Sequence, residues 1–255
     1  MTEPREDRMY VGYLPLPWGH SRFLRVFIPA ALWAMAGLAA LMLWSMRAPG
    51  PGVWETGDPR EWRGVVRETP YPLLETEDGD IVLLVELGKR GAQERVAGLD
   101  GKRARIVGWL LEREGRRIVE IAAGDDAISV DEDALVLLAR RAPTPLGPAT
   151  LRGEIMDAKC YLGAMRPGDG MGHRACAALC VGGGVPPMLV TRDRAGRASF
   201  HLLTGAAGEP VNAWAAAYVG EPVEVRGEAV DLGGLRALRV MESGVRRIGA
   251  GQGQP

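Results

Sequence analysis

The chain has 255 residues, 47% hydrophobic and 25% charged, which is enough to bury one large core or two small ones. Its 31 basic and 32 acidic residues leave a net charge of −1, so the charge balance gives no reason to expect nucleic acid. With 35 glycines and 18 prolines, it should be built of short elements and many turns, mainly β, rather than long helices.

Residues 1–25 read as an irregular cytoplasmic arm. Val26 to Met46 carries no charge and, at 1.5 Å per residue, covers about 30 Å of hydrocarbon, the length of a transmembrane helix. Trp33 and Trp44 suit lipid-facing or interfacial places, and Pro29 is expected in the first turns, where it does little harm. The run is longer than a signal-peptide core and closes with Trp44-Ser45-Met46-Arg47, with no small-x-small site. It therefore reads as an uncleaved single span. Arg5, Arg8, Arg22 and Arg25 precede it and only Arg47 follows directly, which puts the amino terminus inside and the rest in the periplasm of a bacterium, anchored to the inner membrane.

Residues 47–61 are a proline and glycine linker. A faint repeat then follows, one copy opening at Arg63-Gly64 and the other at Arg152-Gly153. Gly101, Gly108 and Gly115 of the first copy match Gly220, Gly227 and Gly234 of the second, 119 residues on, whereas the openings are only 89 apart. The second copy thus holds about 30 extra residues, the length of the stretch Asp157–Pro187. Each copy reads as three strands, a small helix and a closing hairpin, the element order of an OB-like β-barrel, with an unspecified small sandwich as the rival. The expected domains are residues 62–141 and 150–248, joined by a proline-rich boundary, with a flexible tail at 249–255.

The insertion holds all three cysteines, Cys160, Cys176 and Cys180, together with His173. His173, Cys176 and Cys180 are spaced i, i+3 and i+7, one stripe of a helix, and a glycine-rich loop lets Cys160 fold back onto it. A set of three cysteines and one histidine suits zinc or copper, and Asp157 is a candidate hydrogen-bond partner for the imidazole. The pair C-x3-C with a nearby histidine also resembles copper-delivery proteins and the binuclear copper centre of terminal oxidases, with Met165, Met171, Met188 and His201 as candidate further ligands.

Two other readings stay open. A disulfide from Cys160 to Cys176 or Cys180 would stabilise the loop by roughly 3 kcal/mol and leave one thiol over, making the insertion a disulfide-stapled partner-binding module. Thiol-disulfide exchange at Cys176 and Cys180 is the third, although it lacks the usual C-x2-C. Paired carboxylates, a Ser/His/Asp arrangement, a phosphate loop and a haem C-x2-C-H motif are all missing from the sequence, so an enzyme is not expected.

Residues 152–240, with GEIMDAKCYLG, HRACAALC and GGGVPPMLV, resemble a group of uncharacterised exported bacterial domains. Their shared pattern is C-Y-L, then H-x2-C-A-x2-C, then G-x-P. The resemblance implies an extracytoplasmic OB-like β domain and carries no established activity. The expected function is a membrane-anchored accessory or assembly protein that binds a metal, zinc or copper, and works with a protein partner in a membrane or periplasmic redox system.

Overall fold

The computed structural model describes residues 18–45, 52–130, 142–163 and 165–249. Two compact units divide the chain, Met1–Arg47 and Ala48–Pro255. In the first, α1 (Trp18–Ser45) begins within the stretch read as the cytoplasmic arm, so Pro29 lies inside the helix rather than in its opening turns. The window Trp18–Trp44 has a mean hydropathy of 2.1 and is long and apolar enough to cross a bilayer. Residues 1–17 of the expected arm, residues 131–141 at the expected domain boundary and residues 250–255 of the expected tail lie outside the described residues.

The second unit is mainly β and contains two closed five-stranded barrels. The first is formed by β2 (Arg60–Arg67), β3 (Leu73–Thr76), β4 (Ile81–Val85), β5 (Arg103–Arg113) and β6 (Arg116–Ile121), with β1 (Gly52–Trp54) and β7 (Ile128–Val130) added along β5. The pairing runs β2-β3-β4-β6-β5 and back to β2, with only the β4–β6 contact parallel. The stretch read as a linker therefore contributes β1 and the start of β2.

The second barrel repeats this order with β8 (Thr144–Asp157), β9 (Pro187–Arg192), β10 (Ala198–Thr204), β11 (Pro222–Asp231) and β12 (Arg236–Arg239), and β13 (Val245–Arg247) lies along β11. Here the parallel contact is β10–β12. β8 starts within the proline-rich stretch read as a boundary. Pro145 and Pro148 are tolerated because β8 pairs there with β11 only, β9 joining it from Glu154 onward.

The repeated glycines explain why both copies close. β2 passes from β5 to β3 at Gly64, where a Cβ would stand 2.1 Å from the carbonyl oxygen of Glu75. β8 makes the same passage at Gly153, where a Cβ would stand 2.2 Å from that of Val190. A side chain at either position would push the paired strands apart at the bend that closes the barrel.

The copies differ in two connections. Between β2 and β3 lie only residues 68–72, whereas between β8 and β9 lie α2 (Ala158–Leu162) and α3 (Arg174–Gly182). The small helix expected before each closing hairpin is present in the second copy as α4 (Asn212–Ala215). In the first copy, residues 91–101 form successive turns, with Gly98 and Gly101 at positive φ interrupting any helix.

Apolar runs such as Leu73-Leu74 and Leu83-Leu84 bury both faces of their strands. Leu74, Val82, Leu84, Ile106 and Val119 point into the first barrel, and Ile155, Leu189, Leu203, Val223 and Leu238 into the second. One residue out of phase, Leu73, Leu83 and Ile118 meet Met156, Met188 and Leu202 in a third cluster. That cluster joins the barrels and also takes in Cys160, Tyr161 and Cys180. The Tyr71 hydroxyl crosses the same junction, donating to the carbonyl of Leu203 at 2.9 Å and accepting from the amide of Val211 at 3.0 Å.

Candidate metal centre

The site begins where β8 ends. Asp157 keeps extended backbone and caps α2, its Oδ1 accepting the amide of Cys160 at 2.8 Å. This contact sets the position of Cys160. The other oxygen of Asp157 lies 2.9 Å from Nε2 of His173, and both side chains are buried. Lys159, between Asp157 and Cys160 in sequence, turns away toward the first barrel, where its Nζ donates to the carbonyls of Glu86 and Gly88 and to Oε1 of Glu120 at 3.0 Å. Arg113 of β5 holds the far end of α2 by donating to the carbonyls of Tyr161 and Gly163.

The loop returns through Gly170, whose amide donates to Oε1 of Glu154 and whose carbonyl accepts from the amide of His173. His173 is the residue just before α3, and its carbonyl accepts the amide of Ala177. Cys176 and Cys180, four residues apart on α3, share a face. Sγ of Cys160 stands 4.0 Å from Sγ of Cys176 and 3.9 Å from that of Cys180, and all three sulfurs lie within 4.8 Å of one another. These separations are about twice a disulfide bond length of roughly 2.05 Å. They match the edge of about 3.8 Å that a tetrahedral ion gives sulfurs at about 2.3 Å.

The four expected ligands do not form one mutually close group. They fall into two groups that share Cys160: Cys160, Cys176 and Cys180 on one side, and Asp157, Cys160 and His173 on the other. The spacing in sequence put His173 on the cysteine stripe, but a residue at the mouth of a helix is free to turn, and the Asp157 carboxylate takes its ring. Of the candidate further ligands, Met165 and Met171 are exposed, Met188 packs in the joining cluster, and His201 belongs to neither group.

Lys89 was not expected in the site. It comes from the connection after β4, in the first barrel, and its Nζ donates to Sγ of Cys176 at 2.7 Å. Nearby, the amide of Gly91 donates to the carbonyl of Gly183, and Nε2 of Gln93 to that of Gly184. The first barrel thus grips the end of α3.

The charges follow from these contacts. The hydrogen bond from Lys89 to Cys176 holds the ammonium above its ordinary pKa, and the hydrogen bond to Asp157 raises that of His173 against the opposing effect of burial. Within the buried pair, Cys160 is pushed up by its hydrogen bond to Cys180 and by burial, and Cys180 is lowered by the same bond. The two sulfurs of that pair, 3.9 Å apart, therefore differ in the ease with which they lose a proton.

No protein-family model matches the chain, and no curated protein matches it. The geometry of the three sulfurs therefore carries the functional reading. It is a compact set of soft donors, two buried and one half-buried, positioned to hold a metal ion.

Proposed function

We propose that the chain is a membrane-anchored, extracytoplasmic accessory protein that binds one thiophilic metal ion, zinc(II) or copper(I), through Cys160, Cys176 and Cys180. The observation that carries this reading is the sulfur triangle, whose edges of 3.9 and 4.0 Å suit metal–thiolate bonds. Asp157 and His173 serve beside it, the carboxylate fixing the turn that presents Cys160 and the imidazole fixing the carboxylate. The pairing order of each barrel is that expected of OB-like folds, which supports two OB-like domains with the metal-binding insertion in the second. The four arginines before the uncharged run Val26–Met46, Arg5, Arg8, Arg22 and Arg25, against Arg47 alone directly after it, support an inside amino terminus and a periplasmic second unit. In that oxidising compartment bare thiols tend to form disulfides, and a bound metal ion protects them. The role is binding and assembly with a partner of a membrane or periplasmic redox system, not turnover of a substrate.

A second reading, thiol-disulfide exchange, draws on the half-burial of Cys176 against the buried Cys160 and Cys180, which leaves one sulfur open to attack. Elemental analysis of the full chain, purified in detergent without added metal, separates the two. The metal reading expects about one zinc or copper per chain with the cysteines reduced. Less than about a tenth of an equivalent, with two thiols unreactive until reduced, contradicts the metal reading and favours a disulfide, which the exchange reading requires.

A further inference from the structure

The three sulfurs are not equivalent. Cys160 and Cys180 are buried in the cluster that joins the barrels, whereas Cys176 is half-buried and is the sulfur that accepts a hydrogen bond from Lys89. An ammonium and a metal ion compete for a sulfur in that position. The lone pair that accepts the N–H is one a metal would use, and a positive charge one hydrogen bond away repels the arriving ion. Leu179, three residues beyond Cys176 and its neighbour on the surface of α3, is 63% exposed, so an apolar side chain stands beside the accessible sulfur.

Resting on the metal reading above, we propose that Cys176 is the displaceable ligand of the site and that Lys89 keeps it so, allowing the bound ion to pass to an acceptor protein that offers cysteine thiols. The exchange leaves the charge and oxidation state of the metal unchanged. The bond from the metal to Cys176 breaks as a bond to the acceptor's sulfur forms. The proton given up by the acceptor's thiol goes to Cys176, whose sulfur returns to the Lys89 hydrogen bond. Cys160 and Cys180 hold the ion until the acceptor has engaged it, and Leu179 provides apolar contact for the acceptor's surface. On this account the first barrel takes part in the site through a single side chain that tunes release.

The test loads the full chain in detergent with zinc(II), adds an excess of the dithiol 2,3-dimercaptopropanol, and follows the zinc remaining on the protein. Lys89 is exposed, so its replacement leaves the fold intact. Lys89→Met should release its zinc about fivefold more slowly than the natural protein, the scale of losing one exposed charge contact. Lys89→Arg, which keeps the charge, should stay within about twofold of the natural protein. Release from Lys89→Met at the natural rate or faster overturns the proposal while leaving the metal reading in place. A natural protein that takes up no zinc overturns the metal reading, and this proposal with it.

Discussion

Lys159 and Glu120 form an ion pair, Nζ 3.0 Å from Oε1, with only 2% and 5% of the respective side chains exposed. It ties the residue before Cys160 to the last strand of the first barrel. Trp54 of β1 completes the arrangement, donating from its indole to the other oxygen of Glu120 at 3.1 Å. Removing one partner strands a buried charge, so Lys159→Met should lower stability by about 3–5 kcal/mol. Replacing both, in Lys159→Met with Glu120→Leu, should recover more than half of that loss. Urea denaturation of the two variants measures the difference, and equal losses would contradict a charge-pairing role.

Asp157 acts on Cys160 through the backbone and on His173 through its second oxygen. Asp157→Ala keeps all three sulfurs but releases both contacts. Metal affinity, read by competition with a chromophoric chelator, should fall by roughly 10–100-fold. An unchanged affinity would show that the turn presents Cys160 without its cap.

Gly153→Ala places a methyl group 2.2 Å from the carbonyl oxygen of Val190, at the bend where β8 gains β9 as a partner. Backbone rather than a flexible side chain would have to move, so stability should drop by about 3 kcal/mol, the upper end of the usual cost of overpacking. Thermal unfolding checks this, with Gly57→Ala as a control where a methyl group meets nothing within 4 Å.

Glu154 gives a pH dependence. Burial pushes its carboxyl up from 4.5 to about 7, although the amide of Gly170 opposes the shift. Between pH 4.5 and about 7 the folded chain therefore holds a proton that the unfolded chain has lost. Its contribution is fully present below the unfolded value and is lost as pH rises through the folded one. Glu154→Gln stays neutral and can still accept from Gly170. Its melting temperature should gain on that of the natural protein from pH 5 to about pH 7 and level off above, and a constant difference would count against the shift.

The repeat was legible because barrel closure demands glycine at fixed places. Gly108 and Gly227 abut carbonyl oxygens of β6 and β12, and such positions leave a spacing in the chain that survives change elsewhere. The cysteine cluster was legible for a similar reason, since Cys176 and Cys180 need only one helical turn to meet. The pairing of the His173 imidazole with Asp157 was legible too, but not its separation from Cys176 and Cys180, because a helix stripe describes residues inside the helix and this one precedes it. Lys89 left no signal. It lies far from Cys176 in sequence, and only the packing of one barrel on the other brings them together. The period-two split of Leu73 and Leu74 between two cores explains that packing, but an unbroken apolar run cannot reveal in advance what its second face will meet.

X-ray absorption at the metal edge of the purified, metal-bearing full chain tests the sulfur triangle most directly. Three sulfurs at about 2.3 Å, reduced to two in Cys176→Ser, are the predicted first shell. A shell of nitrogen and oxygen alone, or one unchanged in Cys176→Ser, would contradict a metal held by Cys160, Cys176 and Cys180.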